Sequence, residues 1–195
     1  MKIIDVLKDS AELLGLKDEV NVLTETTLES ESQVLQENPK VASLFNLIKL
    51  SIRELCSNYA PNLCTVEMQT EDLKIPLNEL ENCIRVQYVN SGDNMVKFKT
   101  INRNIVLEKD GSYMITYLMY PTINSLYDEV NFLQNLSPEV LVFGLCSYYS
   151  IANGMFDEFE KFHDNYLSKA EALKELKFFD MPARRWEWNK KRLLK

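Results

Sequence analysis

A chain of 195 residues, 46% apolar and 26% charged, has ordinary globular usage and length for one domain, or one domain carrying an insertion, which excludes wholesale disorder. No apolar run approaches the roughly 20 residues that cross a bilayer, and Asp5 comes too early for a secretory signal, so synthesis and retention in a cytoplasm are expected, with no membrane partner. A net charge of −7 sets the body of the protein against non-specific nucleic-acid binding.

Ile3, Val6, Leu7, Ala11, Leu13 and Leu14 keep helical spacing and stop at Gly15, the usual residue just past a helix end, so a first helix is predicted over residues 3–14. Residues 24–38, TETTLESESQVLQEN, are acidic and rich in Ser and Thr; they read as an exposed loop leading into the next helix, outside the core. Asn38-Pro39 then reads as an N-cap followed by proline at the first helical position. Val41, Leu44, Phe45, Ile48, Ile52 and Leu55 give the amphipathic stripe of a helix over 39–58.

The period changes between Cys64 and Pro121. Apolar residues alternate at Val66 and Met68, at Ile84, Val86 and Tyr88, at Val96 and Phe98, at Ile105 and Leu107, and from Tyr113 to Met119, which predicts four or five antiparallel strands. Asn90-Ser91-Gly92-Asp93, Asn102-Arg103-Asn104 and Lys109-Asp110-Gly111 read as turns, the last as a hairpin. Pro76 makes residues 72–82 a crossing segment with a helical turn rather than a central strand.

Helical signals return after Pro121. A short helix is predicted over Ser125–Leu133, with Asp128 and Glu129 near its positive end. Ser137-Pro138-Glu139 opens a helix over 137–152 that Val140, Leu141, Phe143, Leu145, Tyr148, Tyr149 and Ile151 leave apolar on most sides, so it belongs in the middle of a bundle. Within it Gly144 would let a neighbouring backbone come close, or reads by default as a tolerated small residue costing roughly 1 kcal/mol against Ala. Beyond Asn153-Gly154, Met155, Phe159, Phe162, Tyr166, Ala170 and Leu173 form the stripe of a last helix over 155–175.

The final segment, MPARRWEWNKKRLLK, holds six of the 22 Lys and Arg and one of the 29 Asp and Glu, so residues 181–195 carry +5 and residues 1–180 carry −12. Both tryptophans lie in it. Trp and Arg dominate protein–protein binding energy, and the segment reads as a docking peptide for another subunit, with Arg184, Arg185, Trp186, Trp188, Lys190, Lys191 and Arg192 as the partner-binding residues. The fold class expected is α+β: a helical bundle (1–63 and 122–180), a small antiparallel β-domain inserted between the second and third main helices (64–121), and an extended C-terminal tail (181–195).

Catalytic chemistry has few candidates. His163, the lone histidine, sits at the edge of the last helix's stripe and reads as solvated or capping. Cys56, Cys64, Cys83 and Cys146 lack C-x-x-C spacing and read as reduced, mostly buried thiols, a poor zinc supply with one histidine. Five glycines without a phosphate-loop motif make no nucleotide cradle. Asp157, Glu158 and Glu160, or Glu67 and Glu71, are the carboxylates that an acid/base or metal-assisted enzyme would need, and read more simply as a solvated face. Tyr113, Tyr117, Tyr120, Tyr148 and Tyr149 read as interior residues rather than a base-stacking platform. No enzyme, cofactor or metal is expected.

The chain resembles the head–tail connector (adaptor, or head-completion) proteins of tailed bacteriophages, in the branch whose helical bundle carries an inserted β-domain. The resemblance rests on the opening helix with its Leu14-Gly15-Leu16 step, Ile115-Thr116-Tyr117 before Tyr120-Pro121, Phe143-Gly144-Leu145-Cys146-Ser147-Tyr148-Tyr149, Asn153-Gly154-Met155-Phe156-Asp157-Glu158, Tyr166, and Met181-Pro182-Ala183-Arg184-Arg185-Trp186. It implies a structural virion protein at the head–tail junction. Such proteins form a homo-oligomeric ring, commonly a dodecamer, beneath the portal protein; they extend the DNA channel, receive tail proteins below, and act in head completion, DNA retention and ejection. DNA is only passing cargo, and an acidic wall lets phosphates slide without sticking. The alternatives are a tail-completion or terminator ring, and a cytoplasmic nucleic-acid-binding protein acting through the basic tail.

Overall fold

The computed structural model describes residues 1–70, 72–130 and 137–178, the last five by backbone alone. The fold is mixed α+β, with six α-helices and two antiparallel sheets among the described residues. The helices are α1 (Ile3–Leu13), α2 (Lys17–Glu25), α3 (Glu31–Glu37), α4 (Pro39–Asn58), α5 (Glu139–Ala152) and α6 (Phe156–Phe178). Between α4 and α5 lie the strands β1 (Leu63–Thr70), β2 (Lys74–Pro76), β3 (Cys83–Ser91), β4 (Asn94–Val96), β5 (Lys99–Ile101), β6 (Asn104–Val106) and β7 (Gly111–Met119), with a 3₁₀ turn at Leu77–Glu79.

Buried side chains form two clusters. Ile3, Leu7, Leu44, Ile48, Ile52, Leu55, Leu141, Leu145, Tyr166 and their neighbours make the helical one; Ile75, Val89, Ile105, Tyr113, Ile115 and Tyr117 make the strand-built one. The strands alternate in and out, so each sheet has one apolar face, and the two faces close on each other. One sheet has the order β1-β7-β3-β4 and the other β2-β6-β5. The alternation foresaw five runs, and the structure resolves them into seven strands because residues 74–76 and 99–101 add three-residue ladders on either side of β6. Pro76 lies on an edge strand, where its missing N–H removes no interior ladder bond.

Turn chemistry explains the connections. Asn102 and Arg103 both take positive φ (49° and 59°) in the two-residue link of β5 to β6, the backbone that a tight hairpin needs. Asp110-Gly111, expected to make a hairpin, instead carries the chain from one sheet to the other. The Asp110 carboxylate accepts the Leu73 N–H at 2.9 Å, so its turn-forming side chain is used across the sheets.

α1 ends as foreseen. Gly15 takes φ +70°, and the N–H groups of Gly15 and Leu16 bond back to the carbonyls of Glu12 and Ala11, a Schellman arrangement. The acidic stretch after it is different from the expected loop: residues 17–25 and 31–37 are helical, and Glu31 is buried. Asn38 also departs from expectation. Its side chain makes no cap bond to α4 and donates instead to the Val34 carbonyl at the end of α3 (3.1 Å), while Pro39 does occupy the first turn of α4.

The helix expected over Ser125–Leu133 is absent from its described part. Asp128, foreseen as a helix-start charge, accepts the N–H groups of Asn124 and Ser125 and closes a turn. The carbonyls of Leu126 and Asp128 then accept the N–H groups of Ile4 (2.7 Å) and Ile3 (3.0 Å), two of the donors that a helix start leaves without partners. Residues 131–133 lie outside the described residues.

α5 packs against α1, α4 and α6, as its apolar wrap foresaw. Val140, Leu141, Val142, Leu145 and Cys146 are buried; Phe143, Tyr148 and Tyr149 are half-buried, and Ile151 is exposed. At Gly144, side chains from both α4 and α6 lie against the α5 backbone. A Cβ there would overlap Ser51 Oγ and come within 3.1 Å of the Tyr166 ring. Gly144→Ala gains about 1 kcal/mol of helix propensity, but the overlap with Ser51 Oγ sets the overpacking cost in the upper part of its usual range, about 2–3 kcal/mol, so net destabilisation of about 1–2 kcal/mol is expected in urea unfolding. Ser51 Oγ has no hydrogen-bond partner, so adding Ser51→Ala should restore stability to within about 1 kcal/mol of the parent. A single Gly144→Ala variant as stable as the parent would show that the contact is loose.

Candidate functional site

The residues assigned to docking from the sequence, Arg184, Arg185, Trp186, Trp188, Lys190, Lys191 and Arg192, lie outside the described residues. α6 is the element that leads to them. It runs against α5 and is tied to its start by the Lys169–Glu139 ion pair. The Lys169 ammonium also lies 5.7 Å from the Phe143 ring centroid, and Phe143 packs on Phe162 with 6.4 Å between centroids. Hydrogen bonding and the positive charge of Lys169 hold the Glu139 carboxyl below its ordinary range.

His163 is placed differently from the solvated or capping position expected. It is half-buried, stacks on Phe159 with 5.0 Å between centroids, and its Nδ1 lies 3.3 Å from Ser147 Oγ. Ser147 is a buried residue inside α5, and among the described residues no carboxylate is hydrogen-bonded to the imidazole. The pair thus has neither the third group that orients a catalytic base nor an exposed nucleophile.

A polar seam runs between α4, α5 and α6. Glu54 accepts a hydrogen bond from Tyr148 Oη at 2.8 Å, and burial, then that carboxylate, push the Tyr148 phenol well up. Tyr166 Oη is buried without a hydrogen-bond partner, as are Ser51 Oγ and Ser150 Oγ. Burial, then the charge of Glu54, push the Tyr166 phenol up as well. These groups remain protonated at neutral pH and act as packing residues.

The carboxylates considered for chemistry stay apart. Asp157, Glu158 and Glu160 are exposed on α6, Glu67 on β1 accepts from Ser112 Oγ across the ladder to β7, and Glu71 lies outside the described residues. No group of three or more His, Cys, Asp or Glu that could hold a metal occurs among the described residues. Cys56 and Cys146 are buried, and burial pushes the Cys146 thiol up to about 12. Cys64 lies opposite Tyr117 in the ladder, and burial, then the Cys64 thiol, push that phenol up to about 12. No helix among the described residues is long and apolar enough to cross a membrane.

Two clefts remain. One, of about 220 Å³, lies between α2 and the start of α4, where Lys40 bridges to Glu19 at 3.0 Å. The other, of about 30 Å³, is bounded by Lys49, Ile52 and Arg53 of α4 and by Pro121 and Ile123 of the segment returning from the strands. Lys49 and Arg53 are one helical turn apart and share a face, a spacing that the apolar stripe of α4 does not single out in the sequence. Neither a scan against protein-family models nor a search of curated proteins returns a match for this chain.

Proposed function

We propose that this chain is a head–tail connector: a structural virion protein whose copies form a ring beneath the portal, extend the DNA channel and receive the tail. The observation that carries this reading is the partition of charge and aromatic anchors, with −12 on residues 1–180 against +5 and both tryptophans on residues 181–195. An acidic body keeps phosphate contacts transient, while Arg184 and Arg185 suit bidentate pairing with carboxylates or carbonyls of the portal and Trp186 and Trp188 suit apolar pockets beside them. The arrangement supports the same reading. A helical core leaves for a strand-built core after Ala60 and is rejoined after Pro121, as a bundle with an inserted β-domain requires.

Copies carrying this much like charge repel unless neutralised, so the free protein is monomeric in dilute low-salt solution and the ring forms on the portal as template. Electron microscopy of the protein mixed with its portal is the test. A ring seated on the portal is the expected result. A stable ring of free protein would reject the assembly order, and a portal that stays bare would reject the function.

A further inference from the structure

Lys49 and Arg53 are two cations one helical turn apart on an acidic protein, and neither is in an ion pair among the described residues. The ion pairs formed among the described residues are Lys40 with Glu19 and Lys169 with Glu139, and neither includes them. Lys49 does have carboxylates in its field, Asp128 and Glu31. Both are engaged elsewhere: Asp128 accepts the Asn124 and Ser125 N–H groups, and Glu31 accepts the Leu126 N–H and the Ser125 hydroxyl. The cations rest instead on aromatic faces, Lys49 Nζ at 3.9 Å from the Phe45 centroid and the Arg53 guanidinium at 5.8 Å from that of Tyr120. Rings orient a cation without neutralising it.

Burial, then the Arg53 charge, push the Lys49 ammonium below its ordinary value, so the pair is held at a cost that an incoming anion would relieve. The cleft that Lys49 and Arg53 line together with Ile52, Pro121 and Ile123, of about 30 Å³, admits roughly one water-sized group, the size of one end of an oxyanion. We infer that Lys49 and Arg53 form a notch that receives a side-chain carboxylate from a neighbouring copy of this chain.

Charge complementarity selects that occupant. With −12 on residues 1–180, a neighbouring copy presents carboxylates on many of its faces, including the exposed Asp157, Glu158, Glu160 and Asp164 of α6. A notch of this kind makes a head-to-tail contact between unlike surfaces, the geometry from which rings close, and offsets part of the repulsion between copies. The inference rests on the ring reading above.

The test is zero-length carbodiimide coupling of portal-assembled protein made from an equal mixture of light and isotopically heavy chains, read by mass spectrometry. The expected product joins Lys49 of one label to an Asp or Glu of the other. The paired substitution Lys49→Glu/Arg53→Glu should lower ring assembly by about tenfold or more. The native-chain coupling decides the matter even if that variant folds poorly. A ring in which Lys49 stays uncoupled, or couples only within its own chain, overturns the notch and leaves the ring reading standing; failure of the portal to template any ring overturns both. Retention of a DNA duplex by the parent but not by the double variant, with ring assembly equal, would assign the notch to phosphate and overturn the carboxylate.

Discussion

Glu31→Ala is expected to destabilise the protein by about 3 kcal/mol, lowering Tm by about 6–12 °C for a chain of this size. Glu31 is buried, its Oε1 accepts the buried Leu126 N–H at 2.7 Å, and its Oε2 accepts the Ser125 hydroxyl at 2.7 Å. Hydrogen bonds to a charged acceptor contribute about 1.5–3 kcal/mol each, and alanine would leave a buried N–H with no partner. The damage should spread. The turn that Glu31 holds supplies the carbonyls that accept the Ile3 and Ile4 N–H groups, so amide exchange at the start of α1 should accelerate in the variant. Glu31→Gln keeps an acceptor for Leu126 and should cost only about 1 kcal/mol. An alanine variant that melts with the parent, and whose Ile3 and Ile4 amides stay protected, would show that the Tyr127 hydroxyl bond to the Thr26 carbonyl (2.6 Å) holds the turn unaided.

Residue 31 also shows where sequence reading stops. A glutamate in a run of Ser, Thr and Glu carries every local mark of solvent exposure, and its partners are 94 and 95 residues away. Nothing within the run reports them. α2 escaped notice for a related reason: only Val20, Val22 and Leu23 are apolar in Lys17–Glu25, too few to make a stripe, and Leu23 alone of them is fully buried. Asp128 has the sequence marks of a helix-start charge because a carboxylate that complements a helix dipole and one that closes a turn look alike until the backbone is seen.

Periodicity succeeded where many residues vote together. The stripes of α1 and α4, the apolar wrap of α5 and the alternation of β1, β3 and β7 each draw on many residues, and the structure places those elements within two or three residues of the expected bounds. Gly15 marked its helix end because a left-handed residue is needed there. At Gly144 the close approach is made by the side chains of Ser51 and Tyr166, from two other helices, and not by the backbone that the sequence suggests. The Lys49–Arg53 notch was invisible: like charges one turn apart on a helix are common, and what distinguishes this pair is that Glu31 and Asp128 are spent on backbone groups.

Truncation after Asp180 is expected to abolish retention on the portal while leaving monomer stability within about 1 kcal/mol of the full chain. The buried residues of the two described core clusters run from Ile3 to Leu173, and residues 181–195 lie outside the described residues. What the truncation removes is both tryptophans and six cations. Binding energy concentrates in such anchors, so Trp186→Ala in the full chain should lose about 2 kcal/mol or more of portal affinity, roughly thirtyfold in Kd. Lys191→Ala should lose well under 1 kcal/mol, since an exposed cation is screened by salt. The ratio of the two effects separates an anchored peptide from a diffuse electrostatic tether, for which Lys191 would matter as much as Trp186 and raising salt would erase both. Melting of the truncated monomer and its retention on portal particles, measured together, complete the test: a truncated chain that unfolds readily yet still docks would place the tryptophans in the protein's own core and end the docking-peptide reading.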